Sequence, residues 1–337
     1  MEYAMRKTTI ALLALLIVTA SAHAERKPQT TRPIAGPRAV SLRIAWLYVS
    51  ANTGAQKVDR VQIGREMVIA ERSSGWLRVY ANTDVEETHD RDEPLIGPDA
   101  TPTPVSGWME AKAVVSENTA NGDQILMGEA ANQEALASDR RGPVNAARAA
   151  RLLYRRVVEM FPNSPLTPEA AWRAADIQWQ MQQTDAASRP SAHERDPYLR
   201  DQMDEEEMKR VIKLWPHSRQ ADLASWRLVE NKLCGDWQGD PKCPAREAEI
   251  YEKYAVESPD GPRTAQALYQ AVYRYAVLND MYGAEGNEGK AAAARTRAHE
   301  AAARLKERFG QTDQAARAAA LLFKMDEGIA VYGIDRN

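Results

Sequence analysis

Residues 153–177, LYRRVVEMFPNSPLTPEAAWRAADI, contain two helical patterns separated by a proline-rich joint. Before the joint, large apolar side chains recur at positions i, i+1, i+4, i+5 and i+8 from Leu153. After it, apolar side chains recur at i, i+4, i+7 and i+11 from Ala170. Proline lacks the amide hydrogen that a helix needs and restricts the residue before it, so one helix must end near Phe161. The stretch therefore predicts two helices joined by Phe161-Pro162-Asn163-Ser164.

The same kind of joint returns further along the chain. Trp215-Pro216-His217-Ser218 repeats it, and Ser258-Pro259-Asp260-Gly261-Pro262 and Gly310-Gln311 separate two more pairs of periodic segments. Each joint is followed by alanines, whose small side chains permit close helix approach, while aromatic residues can fill the gaps that remain. These aromatic residues are Tyr154, Trp172, Trp215, Tyr251 and Phe309. The pattern predicts stacked helical hairpins over residues 124–330.

The stretch 153–177 resembles the tetratricopeptide-like repeats of periplasmic outer-membrane assembly factors. The joints lie near residues 162, 216, 259 and 310, farther apart than the 34 residues of a standard unit. Loops at 184–197 and 234–244 account for part of the excess. The resemblance implies an all-α tetratricopeptide-like solenoid whose concave face binds a peptide or a partner helix. The alternative is an irregular helical bundle.

Residues 41–115 show a different pattern, in which short apolar runs have a period of two. Ile44, Trp46 and Tyr48 alternate, and compact β runs follow at 67–70 and 76–80. Several short strands at this spacing predict a small all-β barrel. An acidic insert at 84–104 interrupts the pattern. It is interpreted as a solvated loop, or alternatively as a weak divalent-cation loop without the ligand spacing of a calcium site. We place a linker at 116–123, after the last strand.

WLYVSANTGAQKVDRVQIGREMVIAERSSGWLRVYA (46–81), followed by SGWMEAKAVV (106–115), resembles a bacterial SH3 domain. The matches are Leu47-Tyr48-Val49, Gly64, Gly75-Trp76-Leu77-Arg78-Val79 and Gly107-Trp108. The chain departs from the family at Ser50, where an arginine is usual, and at the long insert between the two tryptophan strands. The resemblance implies an SH3-like barrel that contacts cell-wall peptides or other proteins, or that serves as a spacer.

Aromatic residues are the candidates for peptide binding, because an aromatic face offers apolar area together with a polar tip. The candidates are Tyr48 and Tyr80 in the β region and Trp172, Trp179, Tyr269 and Tyr273 in the helices. Two alternatives stay open. Trp76 and Trp108 could instead be core residues of the barrel, and each helical aromatic residue could be a packing residue.

The amino terminus has the pattern of a bacterial export signal. Arg6 and Lys7 precede an apolar run at 10–18, and Ala22-His23-Ala24 places small residues at a cleavage site. The alternative is an uncleaved membrane anchor. We expect cleavage near Ala24, a disordered linker over 25–40, a periplasmic or secreted location, and no membrane span after cleavage.

Cys234 and Cys243 are the two cysteines of the chain. The residues between them, GDWQGDPK, favour turns and so allow the two ends to approach. An oxidising compartment would favour a disulfide between them. The alternatives are free thiols or a metal-binding pair, although two cysteines without nearby histidines lack the four ligands of a zinc site.

Motifs for catalysis or cofactor binding are not found in the sequence. GAEGNEGK at 283–290 lacks both the first glycine and the final serine or threonine of a phosphate-binding loop. The histidines lack metal-ligand spacing. With 44 basic and 47 acidic residues, the chain has no excess of cations for general nucleic-acid binding. We therefore expect no cofactor, no metal, no nucleic acid partner and no enzymatic activity.

These observations favour an exported, non-catalytic interaction or scaffold protein of the cell envelope. Its helical repeats would bind a protein or peptide, and its SH3-like module would contact the peptidoglycan of the cell wall or another protein. The alternative is an accessory or regulatory subunit of a cell-envelope enzyme such as a wall hydrolase.

Overall fold

The computed structural model describes residues 35–84, 104–194, 199–201, 203–234 and 237–332. Within these residues, seven strands precede nine α-helices and a short 3-10 helix at Pro190–His193. The predicted signal at 1–24 and most of the acidic insert lie outside the described residues. The strands are β1 (Arg38–Ser41), β2 (Ala45–Tyr48), β3 (Lys57–Val61), β4 (Glu66–Ser73), β5 (Trp76–Ala81), β6 (Val105–Glu110) and β7 (Val114–Ser116).

The strands form one antiparallel sheet in the order β3-β2-β6-β5-β4-β1-β7. The strand pairs of the described residues run antiparallel, and β5 pairs with β6 from Trp76 opposite Glu110 to Ala81 opposite Val105. In the described part of the chain, no pairing joins the end strands β3 and β7, so the sheet is open. An antiparallel β region is therefore present, without the closure that a barrel requires.

Alternate residues of the strands form the core of the sheet. Leu47 on β2, Val79 on β5 and Met109 on β6 are fully buried, whereas their neighbours along each strand are more exposed. Because successive side chains of a strand point to opposite faces, the period-two pattern separates an inner apolar face from an outer one.

The predicted disordered linker at 25–40 is wrong at its carboxyl end. Residues 38–40 belong to β1, where Arg38 lies opposite Val68 on β4 and Val40 lies opposite Val115 on β7. Ala39 and Val40 are fully buried. The proline-rich composition of the segment concealed a strand of only four residues, whose stability comes from partners distant in sequence.

The helices are α1 (Gly122–Ser138), α2 (Ala146–Met160), α3 (Thr167–Ala187), α4 (Glu206–Leu214), α5 (Arg219–Glu230), α6 (Lys242–Glu257), α7 (Thr264–Ala284), α8 (Glu288–Phe309) and α9 (Asp313–Asp326). Consecutive helices pack against each other in pairs, with α7 also in contact with α9. The β-sheet region is thus followed by paired helices in a repeat-like arrangement. Residues 283–290, which lack the pattern of a phosphate-binding loop, span the end of α7, the loop after it and the start of α8.

The first and third joints have the same hydrogen bonds. The Thr167 hydroxyl donates to the carbonyl of Phe161 at 2.9 Å, and the Thr264 hydroxyl donates to the carbonyl of Ser258. In both joints the same carbonyl also accepts a backbone hydrogen bond. The amide of Ser164 donates to Phe161 at 2.9 Å, and the amide of Gly261 donates to Ser258 at 3.1 Å. These bonds satisfy carbonyls that the end of a helix would otherwise leave unpaired.

The second and fourth joints share a different pattern. The hydroxyls of Ser218 and Thr312 each donate at 2.6 Å to the carbonyl three residues earlier, that of Trp215 or Phe309. Each hydroxyl oxygen also accepts from an amide of the next helix, as expected for a helix N-cap. The four joints therefore alternate between two geometries.

The sheet and the first helices share a core. Val40 and Val115 from the sheet lie in one apolar cluster with Leu126 of α1, Leu153 of α2 and Ala170 of α3. Gly64 has a φ of 78°, and a β-carbon there would lie 2.8 Å from the β-carbon of Leu152. Only glycine suits both this backbone conformation and this close approach.

A buried ion network crosses the same junction. The Arg156 side chain on α2 is 2% exposed and pairs with Asp84 and Glu159. It also donates to the carbonyl of Gly64 at 3.0 Å. Arg65 pairs with Asp84 at 2.8 Å. Asp84 was assigned to a solvated insert, but the structure holds it in this network.

The predicted disulfide between Cys234 and Cys243 is confirmed, with their α-carbons 6.0 Å apart. The buried carboxylate of Glu247 anchors the loop that the disulfide closes. This carboxylate accepts hydrogen bonds from the amide of Cys234 at 2.8 Å and from the indole of Trp237 at 3.2 Å. Arg274 pairs with the same carboxylate at 3.0 Å. The loop is thereby attached to α6 and α7.

Candidate functional site

Five aromatic residues lie on the outer face of the sheet, and we call this surface the aromatic sheet face. Its members alternate with buried core residues along β2, β5 and β6. They are Trp46, Tyr48, Trp76, Tyr80 and Trp108. Trp46 is exposed and the other four are half-buried. The face thus combines a large apolar area with access to solvent.

Trp46 is the most accessible residue of the aromatic sheet face, with 42% of its surface exposed. The ammonium of Lys57 lies 4.4 Å from the centre of its ring, and the guanidinium of Arg60 lies 5.8 Å from it. Arg60 is its direct neighbour on β3. The two cations hold the indole in place and give this part of the face a positive charge.

The middle of the face is formed by strand pairing. Tyr48 lies opposite Trp108, and Arg78 lies opposite Trp108 on its other side. The rings of Tyr48 and Trp76 meet edge to face at a centroid distance of 5.8 Å. Arg78 is exposed and adds a further cation. These contacts order the aromatic rings before any partner binds.

A cleft of about 450 Å³ lies where β2 and β3 meet α1 and α2, and we call it the end cleft. Ile44 and Gln62 line it. Ile44 precedes Ala45 and Gln62 follows Val61, and these two neighbours are paired across β2 and β3. Ile44 precedes Trp46 by two positions, so the end cleft adjoins the aromatic sheet face. Its other apolar lining residues are Ile63, Leu136, Pro143, Val144, Ala146, Ala149 and Leu152.

The charged residues that line the end cleft are both basic, Arg65 and Arg148. Arg65 is paired with Asp84 at 2.8 Å. Arg148 is half-buried, and no carboxylate of the described residues forms an ion pair with it. Gln62, Gln133 and Asn145 supply neutral polar groups. The cleft therefore has an apolar interior and an available positive charge.

Groups with a shifted pKa lie in the helices and their junction with the sheet. Burial raises the pKa of Tyr275 to about 12, with a further contribution from its hydrogen bond to Glu252. Burial would raise the pKa of Glu159, but Arg156, Arg155 and Arg38 outweigh it, so this pKa is below its usual value. Both groups are held in interactions between structural elements.

Two of the helical candidates are buried in the structure. Trp172 is 8% exposed and Trp179 is 1% exposed, and both belong to the core between α3, α4 and α5. The alternative reading, that they are packing residues, applies. The other two helical candidates, Tyr269 and Tyr273, are half-buried. The guanidinium of Arg317 lies 4.6 Å from the centre of the Tyr269 ring. The centres of the Tyr273 and Trp237 rings are 6.0 Å apart.

Tyr48 and Tyr80 lie on the same face, as members of a larger group that sequence reasoning did not assemble. Trp76 and Trp108 are not core residues of the sheet, because they alternate with the buried residues Leu77 and Met109. The signal that could have identified them is the period of two itself, since Trp76, Arg78 and Tyr80 must share one face.

Among the described residues, no three histidine, cysteine, aspartate or glutamate side chains form a group that could hold a metal ion. The helices in this part of the chain also lack the combination of length and apolar character needed to cross a membrane.

No protein-family model and no curated protein matches the chain. Solved structures to which it is similar include the following three. The DHF79 filament is 18% identical over 59% of this chain and 95% of that chain, with a TM-score of 0.22. The DHF119 filament is 17% identical over 61% and 92%, with a TM-score of 0.22. The crystal structure of the de novo designed helical repeat protein DHR64 is 18% identical over 61% and 94%, with a TM-score of 0.21. Scores this low carry no information about function.

Proposed function

We propose that this chain is an exported, non-catalytic binding protein of the cell envelope that recognises an extended peptide or protein segment through the aromatic sheet face. The observation that carries the proposal is the exposed Trp46, which is bracketed by Lys57 and Arg60 and continues into four more aromatic rings. Tryptophan, tyrosine and arginine are the residues that most often dominate binding energy at protein interfaces.

The partner surface is the sheet rather than the helices. The helical candidates Trp172 and Trp179 are buried, so a partner could not reach them without unfolding α3 to α5. The sheet face instead offers aromatic rings at the spacing of strand residues, a geometry suited to an extended chain. Paired helices then act as the scaffold that supports the sheet.

We also propose that the sheet is an SH3-like module and that the chain is exported. The module is supported by the glycine-tryptophan strands that begin at Gly75 and Gly107 and by the aromatic outer face. Export is supported by the Cys234–Cys243 disulfide, because such bonds persist in oxidising compartments.

The proposal is tested with the full chain and the variant Trp46→Ala. Dodecapeptides are selected from a random phage-displayed library on the wild-type protein, synthesised, and titrated by fluorescence anisotropy. We expect Trp46→Ala to weaken the selected peptides by at least about 30-fold, the loss typical of a dominant aromatic contact. Sedimentation with purified peptidoglycan tests whether the same face binds cell wall.

Phe323→Ala is the matched control, because Phe323 is 63% exposed on α9 and lies outside the sheet. It should leave peptide binding unchanged. Equal affinities of the wild type and Trp46→Ala for all selected peptides would refute the aromatic sheet face as the binding surface.

A further inference from the structure

The end cleft continues the surface on which the proposed function rests. Ile44 and Gln62 both line the cleft. Ile44 immediately precedes β2, two residues before Trp46, and Gln62 immediately follows β3. An extended chain that lies along Tyr48 and Trp46 would therefore reach the cleft at the next step along the strand.

The floor of the cleft belongs to α2. Ala149 and Leu152 are each 8% exposed and line it from below, and Leu152 also packs against Gly64. A volume of about 450 Å³ lies in the range of small-ligand pockets, which is about 300–1,000 Å³. The cleft can hold one or two aliphatic side chains, and α2 bounds it.

The charge of the cleft selects the occupant. Both ionisable lining residues are cationic, and Arg65 already pairs with Asp84, so Arg148 is the group available to an anion. The amino-terminal turn of α2, which begins at Ala146 in the cleft wall, adds a partial positive charge. An occupant that matches both properties has an aliphatic body and a carboxylate.

We propose that the end cleft receives the carboxyl terminus of the bound peptide. The guanidinium of Arg148 pairs with the terminal carboxylate, and the apolar lining takes an aliphatic last residue. The inference rests on the proposed function, because the aromatic sheet face holds the preceding residues. A peptide end supplies a carboxylate for Arg148, which has no ion-pair partner among the described residues, and an aliphatic side chain for the apolar lining. An internal segment brings no main-chain charge.

The test uses the full chain and two pools of fluorescein-labelled octapeptides, each with six random positions followed by Leu-Val. One pool ends in a free carboxylate and the other in an amide. We expect the carboxylate pool to bind about 10- to 100-fold more tightly, as for a hydrogen bond to a charged group. Arg148→Gln should reduce this ratio to about one.

Arg141→Gln is the matched control, because Arg141 is an exposed residue between α1 and α2 and does not line the cleft. It should keep the wild-type ratio. A ratio near one for the wild type, or an unchanged ratio in Arg148→Gln, would overturn the inference. Circular dichroism of each variant verifies that it is folded.

Trp46→Ala separates this inference from the proposed function. Weaker binding of both pools with the ratio preserved supports both. A second outcome is that Trp46→Ala leaves the affinity for both pools unchanged while Arg148→Gln abolishes the preference for the carboxylate pool. This outcome supports the end cleft as the carboxylate site and refutes the aromatic sheet face as a binding surface. Binding of decanoate is measured as a further test. If decanoate binds to the wild type but not to Arg148→Gln, and neither peptide pool binds, the inference of a peptide ligand is wrong and the ligand is an aliphatic acid.

Discussion

At the scale of single residues, Arg156 is a buried charged group at the junction between sheet and helices. Its side chain is 2% exposed and contacts Asp84, Glu159 and the carbonyl of Gly64. Burying a charge is costly unless it is paired and hydrogen-bonded. The network satisfies that condition with groups from two regions of the chain.

Replacing Arg156 with methionine should lower the free energy of unfolding by about 1.5–3 kcal/mol, because Asp84 would lose one of the two arginines that pair with it and retain Arg65. Urea unfolding followed by circular dichroism measures the change. Arg141→Met, at an exposed arginine between α1 and α2, should change stability by less than about 0.5 kcal/mol. A loss below about 1 kcal/mol in Arg156→Met would show that the network contributes little.

The contribution of Glu159 should depend on pH. Its pKa in the folded chain is lower than in the unfolded chain, because Arg156, Arg155 and Arg38 together outweigh the effect of burial. A lowered carboxyl pKa stabilises the fold above the ordinary glutamate pKa of about 4.3, and this stabilisation is lost as the pH falls through the folded value.

Glu159→Gln should therefore reduce stability by about 1–2 kcal/mol at pH 7. The difference from the wild type should shrink steadily as the pH falls below about 4. Urea midpoints measured from about pH 7 to pH 3 test this. A difference that stays constant over that range would mean that the charge of Glu159 is not what stabilises the fold.

At the scale of elements, the joints between helices alternate between two hydrogen-bond patterns. Thr167 and Thr264 close the first and third joints, while Ser218 and Thr312 close the second and fourth. Joints of the same pattern are about 95 residues apart, nearly three times a standard helical-hairpin unit. The same joint pattern therefore recurs at every second joint.

The joint hydroxyls should contribute measurably to stability. Thr264 is 1% exposed, so Thr264→Val removes a buried hydrogen bond to Ser258 at nearly constant volume. We expect a loss of about 1–2 kcal/mol in urea unfolding. Thr167→Val should have a similar effect if the two joints are equivalent.

Thr296→Val is the control for this series. The Thr296 hydroxyl also donates to a backbone carbonyl, that of Ala292 at 3.1 Å, but the residue is exposed on α8. Water can replace its hydrogen bond, so the change should be within about 0.5 kcal/mol. Equal losses at positions 264 and 296 would contradict a special role for the joints.

At the scale of the whole molecule, the sheet and the first three helices form one unit. Val40 and Val115 pack in the core of α1 to α3, and Arg156 joins α2 to the β4–β5 region. The disulfide loop is attached outside this unit, through Glu247 and Arg274 of α6 and α7. The binding surfaces that we propose both lie at the sheet end.

This organisation predicts how the chain can be divided. A fragment of residues 41–115 lacks most of β1 and exposes the apolar residues that face the helices, so it should not fold alone. A fragment of residues 35–187 keeps β1 to β7 and α1 to α3 and should fold cooperatively. Chemical-shift dispersion in amide NMR spectra distinguishes the outcomes. A well-folded 41–115 fragment would show that the sheet is independent.

The sequence by itself determined the local features of this protein. Proline and small polar residues set the helix ends at Phe161 and Trp215, because they act within a few residues of chain. Turn-forming residues between Cys234 and Cys243 brought the two thiols within reach of each other. The strands of the sheet were visible as alternation, since a strand's side chains separate by face.

Only the tertiary structure decided which aromatic residues are accessible. Trp172 and Trp179 lie at helical positions that look the same in sequence whether they face a core or solvent, and packing against α4 and α5 buries them. Trp46 and Trp108 remain on the outside because no helix covers that face among the described residues. Burial depends on partners distant in sequence, as it does for β1 and Arg156, so it emerges only when the elements pack.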